Sequence, residues 1–476
     1  MRMKESSKNS PWNNKKIIVL IVLCSAFFQL TFLVFSKNTT PLTGLTFAEG
    51  LLAWNLTAGN GFSINRLGCE EIMRKYPPTP MQNFDFSKCP DPLKKNPDTY
   101  TAHNTPGYPM LISATWFIFG ENKYIYIQTL QVLLNVLAVF AVYLVANYFF
   151  DIKTAILGSA ILGLYLPLLL SAYTPVRDIW IYFGIVLLFI IYQRSLTALG
   201  FNYKKFTLSA GILLGIMSLI QPIFFYLPAF LGVALGSAFK SWKQGVVIFL
   251  GTMMSILIIL SPWTIRNYVL FHRFIPTQTR IGAGLWEGMG AFENPIGAIL
   301  SDNAAFEEAK KENPNVQYGS PEYDEILGRK AIAAIKKYPL WFISAAIRRI
   351  PKVLFPLYIP QKISVKKIIQ ESKAEKKLFF LQPILFTDPA LWFNLFDIFL
   401  SLFGLIGMWI YHHRWRTLVL FYLIPAYFIA ILAPLHVEPR YVLGIRFIFI
   451  IFACGSLITL LNFKKNRTQR SIIPPS

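Results

Sequence analysis

The sequence predicts an all-α polytopic membrane protein: a bundle of about ten transmembrane helices with two long external loops that carry interfacial helices. Three observations predict it. Of 476 residues, 54% are hydrophobic and only 15% charged, against about 25% charged in an average soluble domain. Several apolar runs reach about 20 residues, the length a helix needs to cross the hydrocarbon layer. The Lys and Arg behind the net charge of +22 sit mostly between those runs, where they orient helices against anionic membrane lipids. That placement argues against nucleic acid as a partner.

The first run, Ile17 to Ser36, follows Lys15 and Lys16. It is longer than a signal-peptide core and lacks a small-x-small cleavage site, so an uncleaved first span is expected. Further spans are expected at about 124–149, 154–172, 178–193, 207–223, 224–239, 244–264, 393–411, 416–434 and 441–461. With these, Lys153, Arg194, Lys204, Lys205, Lys240, Lys243, the "HHRWR" run (His412 to Arg416) and the basic tail all fall on the side of the N-terminus. Both termini are then cytoplasmic by the positive-inside rule. The chain divides into an N-terminal tail with the first span (1–36), external loop 1 (37–123), a transmembrane bundle (124–264), external loop 2 (265–392), and the C-terminal spans with their tail (393–476).

Loop 2 contains "LWFISAAIRRIPKVLFPLYI" (Leu340 to Ile359), with Arg348, Arg349 and Lys352 among apolar residues. As a span it would place three cations in lipid. It reads as a helix lying in the interface with its cations snorkelling outward. "TPGYPMLISATWFIFG" (Thr105 to Gly120) is too short and too broken by proline for a span, and reads as a re-entrant or surface helix. Cys24 and Cys454 lie in apolar spans. Cys69 and Cys89 share loop 1 and pair if it faces an oxidising compartment. No repeat and no low-complexity tract is evident.

Four polar clusters converge on the external side. Glu49 sits in "AEGLLAWNLTAGNGFS", a helical period ended by Gly59 and Gly61. Arg177 and Asp178 occupy a short turn. Arg266 and Asn267 end the run "SPWTIRNY", before a tract rich in Gly, Thr and Trp. His436, Glu438, Arg440 and Tyr441 form the turn "LHVEPRY". Ionisable residues gathered at membrane depth are functional candidates. Each also has a plainer reading: an interfacial ion pair for Arg177 and Asp178, a headgroup anchor for Arg266 or Arg440, a solvated surface acid for Glu49.

In this order the segments resemble the bacterial GT-C glycosyltransferases that use polyprenyl-phosphate sugars, relatives of the protein O-mannosyltransferases and the lipid A aminoarabinose transferase. The likeness rests on "AWNLTAGNGFS", "TPGYPMLISATWFIFG", Asp178, "PWTIRNYVLFHRFIP", "GAGLWEG" and "EPRY", spread over residues 15–460. The chain departs from the family pattern in two places. Leu45 and Thr46 stand where an acidic pair is usual, leaving Glu49 one helical turn later, and Thr105 replaces the first proline of a double-proline motif.

The resemblance implies a GT-C-like bundle and an inverting transfer of a sugar from a polyprenyl-phosphate donor to a glycolipid, glycan or protein acceptor. It implies a multi-pass protein of the bacterial plasma membrane with its active face outside. Glu49 or Asp178 would be the general base. His103, Arg266, Asn267, Gly284, Trp286, Glu438, Arg440 and Tyr441 would hold the donor and its phosphate. Arginine suits the departing phosphate because its planar fork matches the oxygens and stays charged. Glycine lets backbone approach a ligand, and Trp286 supplies an amphipathic wall. No cofactor is expected beyond the lipid-linked sugar as donor substrate; no His/Cys ligand cluster is visible, and assistance by a divalent metal stays open. Alternatives are a non-catalytic relative that binds lipid-linked sugar, and a transporter, for which repeated halves and mid-span polar residues would be expected.

Overall fold

The computed structural model describes residues 11–35, 44–64, 99–197, 200–357 and 389–471. It is an all-α molecule, and among the described residues regular pairing beyond helices is limited to two-residue ladders. The first helices are α1 (Pro11–Phe35), α2 (Gly44–Thr57), α3 (Gly107–Phe119) and α4 (Ile125–Phe149). Gly59 and Gly61, with φ of 81° and 72°, end α2 as the sequence predicts. They turn the chain into β1 (Ser63–Ile64), which pairs antiparallel with β2 (Thr99–Tyr100).

The expected span 154–172 is broken. It forms α5 (Ile152–Gly163) and α6 (Leu166–Tyr173), bent by 52°. Pro167 lies in the first turn of α6, where it cannot donate a hydrogen bond back across the break. Asp151 caps α5 by accepting from the backbone N–H of Lys153 and Thr154.

The central bundle continues with α7 (Asp178–Ser195), the pair β3 (Leu196–Thr197) and β4 (Gly200–Phe201), then α8 (Tyr203–Ile220), α9 (Leu227–Ala238) and α10 (Trp242–Phe271). A polar unit follows, made of α11 (Ile281–Met289), α12 (Asp302–Lys310) and α13 (Pro321–Lys337), and then the amphipathic α14 (Pro339–Leu354). The chain closes with α15 (Pro389–Ile410), α16 (Val419–Leu432), a 3-10 segment Pro439–Ile445, and α17 (Arg446–Ser471).

Six described helices are long and apolar enough to cross a membrane, or seven with the bent α5–α6 pair. Shorter apolar helices lie within α1, α3, α16 and the stretch Pro222–Ala238. Leu51, Tyr108, Ile127, Tyr182 and Phe447 belong to one continuous core through the bundle, whereas Ala283, Trp286, Phe306, Tyr323 and Leu327 form a separate core in the polar unit.

Three details differ from the sequence reading. The helix expected to end near 264 continues to Phe271, so Arg266 and Asn267 lie on it rather than in the following loop. The last span does not begin as α-helix at 441; residues Pro439–Ile445 are 3-10 and α17 starts at Arg446. Arg349 does not snorkel. It is buried and donates to the Ala433 carbonyl at 3.0 Å and to the Gly288 carbonyl, because those two carbonyls need a partner where α14 crosses α11 and the end of α16. Arg348 and Lys352 remain exposed, alongside Leu340, Ile343 and Ile347.

Inside the bundle, Arg446 and Asp397 form an ion pair at 2.8 Å with both side chains 0% exposed. Tyr165, at the α5–α6 break, donates to Asp397 at 2.5 Å, and Arg446 also reaches Ser401 Oγ at 2.9 Å and the Leu354 carbonyl at 3.3 Å. The network joins the break, α15, α17 and the end of α14.

Candidate active site

Glu49 projects from α2 and is 6% exposed, since the remainder of that helix packs on α3. Its Oε1 lies 3.5 Å from Nε of Arg177. Arg177 precedes α7, and its Nη1 also reaches Thr105 Oγ1 at 3.3 Å and the Ile220 carbonyl at 3.4 Å. Thr105 in turn donates to Ile220 O at 2.8 Å. The threonine at the place of the missing proline therefore helps to hold the arginine that meets Glu49.

Asp178 opens α7, where the unpaired N–H groups of a helix start favour a carboxylate. It is 5% exposed and within electrostatic reach of Arg440, Arg177, Glu49 and Glu438. Arg440 sits on the 3-10 segment. Its Nε lies 2.6 Å from Glu438 Oε2, its Nη2 donates to the Tyr441 hydroxyl at 3.4 Å, and its guanidinium stacks over the Tyr441 ring at 4.9 Å. A hydrogen bond from His436, aided by Arg440, outweighs burial and pulls the Glu438 carboxyl down to about 2. Burial works the other way on Glu49: it raises the carboxyl, and Arg177, Arg440 and Arg280 only partly counter it.

Arg280 is a member that sequence reasoning missed. It stands at the start of α11, 3.4 Å from Asp302 and 3.9 Å from Glu287. Its field reaches Glu49, His103 and Tyr441. Glu287 is raised by burial and by the Asp302 carboxylate with which it shares a hydrogen bond. In the sequence, Arg280 is a single cation in a Gly/Thr tract and Asp302 lies 22 residues further on, with no local pattern that links them. They become neighbours of the site through the fold, with Gly288 of α11 against the Leu435 backbone and Arg280 within electrostatic reach of Glu49.

Arg266 and Asn267 are placed elsewhere. Arg266 donates to the carbonyls of Thr101 at 2.9 Å and Phe62 at 2.8 Å and to Asn267 Oδ1 at 2.7 Å. Its guanidinium lies 4.8 Å from the centre of the Trp263 ring and 5.7 Å from those of Phe62, Tyr100 and Phe271. Asn267 donates to Ile275 O at 2.9 Å and is fully buried. The pair clamps the β1–β2 segments onto the end of α10. Trp286 is packed in the core of the polar unit rather than forming a wall. Open space faces the α-carbon of Gly284. Gly288, by contrast, touches the Leu435 backbone so closely that a side chain would collide with it. This contact brings α11 onto the turn that carries Glu438 and Arg440.

His103 lies at the edge of the site. Its Nδ1 is 3.2 Å from the Thr279 carbonyl, its ring packs 5.2 Å from that of Tyr318, and Gly319 lies against it. Burial, reinforced by the Arg280 cation, pushes the imidazole down to about 3, so it is neutral. Cys69 and Cys89 lie outside the described residues. Among the described residues, no three His, Cys, Asp or Glu side chains gather as a metal-holding group.

No protein-family model and no curated protein matches the chain. Solved structures similar to it include the oligosaccharyltransferase of Archaeoglobus fulgidus tethered to an acceptor peptide containing the NVT sequon, at 14% identity and a TM-score of 0.49, covering 98% of this chain and 51% of that one. The same archaeal enzyme, AglB, in complex with an inhibitory peptide and a dolichol-phosphate gives 14% identity and a TM-score of 0.48, covering 99% and 53%. ArnT from Cupriavidus metallidurans bound to undecaprenyl phosphate gives 11% identity and a TM-score of 0.40, covering 92% and 76%. The chain spans about half the length of the archaeal oligosaccharyltransferase.

Proposed function

We propose that this protein is a GT-C-type glycosyltransferase that moves a sugar from a polyprenyl-phosphate donor to a glycolipid, glycan or protein acceptor at the outer face of the membrane. One observation carries the reading: of two buried carboxylates, Glu49 pairs with Arg177 and Asp178 lies within electrostatic reach of Arg440 and Arg177, with Arg280 within electrostatic reach of Glu49. In the proposed step the acceptor hydroxyl oxygen attacks the anomeric carbon while the bond from that carbon to the phosphate oxygen breaks. The hydroxyl proton passes to Asp178 or Glu49. The lipid phosphate leaves with the bonding pair, and Arg440 stabilises the charge that develops on it. Attack opposite the leaving group inverts the sugar.

A second reading has one observation in its favour. The contact of Glu49 with Arg177 occupies a carboxylate that a base would need, which suits a protein that only holds lipid-linked sugar. Mass spectrometry of surface glycans and glycolipids, with and without the protein, separates the two. A sugar-bearing species that vanishes on deletion, and stays absent in cells carrying Glu49→Gln with Asp178→Asn, is expected. If that double variant restores it fully, the transferase reading fails.

A further inference from the structure

His103 has a feature that phosphate binding does not explain. With Nδ1 donating to the Thr279 carbonyl, the other ring nitrogen, Nε2, carries a lone pair and can only accept. That nitrogen is buried, in a side chain 8% exposed, with no hydrogen-bond partner among the described residues. Leaving such an acceptor unsatisfied carries an uncompensated desolvation cost, so a hydrogen-bond-donating ligand group is the natural occupant.

The surroundings restrict the ligand's chemistry. An anionic phosphate oxygen would meet the lone pair head-on, whereas a hydroxyl would donate to it. Protonation of the ring, which would reverse this, is opposed by burial first and then by Arg280 and Arg177 on neighbouring elements, against the Thr279 carbonyl and Asp302, which favour it. Asp302, which pairs with Arg280 beside this corner, is also an acceptor. Arg440, the guanidinium proposed to meet the phosphate, is not among the charges that act on His103, which are Arg280, Asp302 and Arg177. Gly319, at a φ of 72°, lies so near the imidazole that a side chain there would collide with its Cβ and Cγ, and the backbone N–H of His103 donates to Thr101 Oγ1 at 3.0 Å.

We propose that His103 Nε2 accepts a hydrogen bond from a hydroxyl of the sugar handled at this site, and that His103 thereby helps to select the sugar without binding the lipid phosphate. This rests on the transferase reading above. The hydroxyl belongs either to the sugar being moved or to a sugar acceptor, and the experiment separates these sources.

The full chain is reconstituted in lipid nanodiscs, and dissociation constants are measured for undecaprenyl phosphate alone and for undecaprenyl phosphate bearing glucose, mannose, galactose or arabinose. The same measurements are made for the four methyl glycosides on protein loaded with undecaprenyl phosphate. His103→Asn keeps a donor where Nδ1 stands and removes Nε2, while His103→Gln returns an amide near Nε2. If the sugar is the donor's, the tightest sugar-lipid weakens about tenfold in His103→Asn, undecaprenyl phosphate is unchanged, and His103→Gln recovers part of the loss. If it is the acceptor's, only the methyl glycosides weaken. Unchanged sugar binding in both arms, or an equal loss for undecaprenyl phosphate alone, overturns the role of His103. Wild-type protein that binds none of these probes instead overturns the transferase reading, and this inference with it.

Discussion

Arg177 holds its Nε 3.5 Å from the carboxylate of Glu49 while the same guanidinium reaches Thr105 and the Ile220 carbonyl. One side chain thus ties three separate helix ends together and sets the charge state of a candidate base. Burial raises the Glu49 carboxyl and Arg177 is the strongest influence lowering it. The base form exists above that value, so transfer should decline as pH falls through a point higher than the ordinary Glu range of about 4.3. Arg177→Gln removes the lowering cation and should move the acid limb further up. By linkage, any stability gained from the protonated Glu49 is lost as pH rises through its raised value. A kcat/KM profile whose acid limb stays put in Arg177→Gln would show that Glu49 is not the titrating base.

Arg440 is expected to matter for chemistry. Its own pairing with Glu438 at 2.6 Å aims the fork, and Glu438 remains ionised throughout the physiological range. Arg440→Ala should reduce transfer by about 30- to 1000-fold, from about 2–4 kcal/mol of lost transition-state stabilisation. Arg440→Lys should restore only part, because a point charge cannot supply two parallel N–H donors. Transfer rates with saturating donor check this, and an unaffected Arg440→Ala rules the role out.

Arg266 should behave differently, as a clamp. It satisfies two backbone carbonyls and is ringed by aromatic side chains, and charge-assisted bonds of this kind contribute about 1.5–3 kcal/mol each when lost. Arg266→Ala should lower the thermal midpoint by several degrees, while the affinity for undecaprenyl phosphate in the fraction that remains folded stays near wild type. A large affinity loss at unchanged midpoint would return Arg266 to the donor-binding set.

The contrast between these arginines shows what the sequence could and could not reveal. The helices were legible because hydrophobic runs interrupted by cations have few alternatives in a membrane. Glu49, Asp178 and Arg440 were legible as ionisable residues in short segments between such runs. The role of Arg266 was not, because its partners, Phe62 and Thr101, lie more than 160 residues away and no local pattern announces a carbonyl in need of a donor. Arg349 and Arg446 were hidden for the same reason: a cation in an apolar helix reads as a snorkelling or boundary residue until its buried partner is known.

The positive-inside rule leads us to expect residues 265–392 outside the cell, and Asn315 offers an exposed position in that stretch, before the α13 cap. With the four native cysteines replaced by Ser, Asn315→Cys should react with a membrane-impermeant thiol reagent on intact cells. Labelling that appears only after lysis would place the α11–α13 unit, and the Arg280 corner it contributes, on the cytoplasmic side.

Asp397 and Arg446 provide the strictest test of the fold. Both are fully buried, and removing one partner leaves the other as an uncompensated charge in an apolar bundle. Asp397→Leu alone or Arg446→Met alone should therefore destabilise strongly, by about 3–5 kcal/mol. The double variant should recover most of that, because it removes both desolvation penalties together. The remaining loss is expected at Tyr165, whose hydroxyl would lose its acceptor at the α5–α6 break; adding Tyr165→Phe should reduce it. Unfolding of the purified protein in mixed micelles measures all four variants. If the double variant is no more stable than the worse single one, the coupling fails, and Arg446 is held mainly by the Leu354 carbonyl and Ser401 rather than by Asp397.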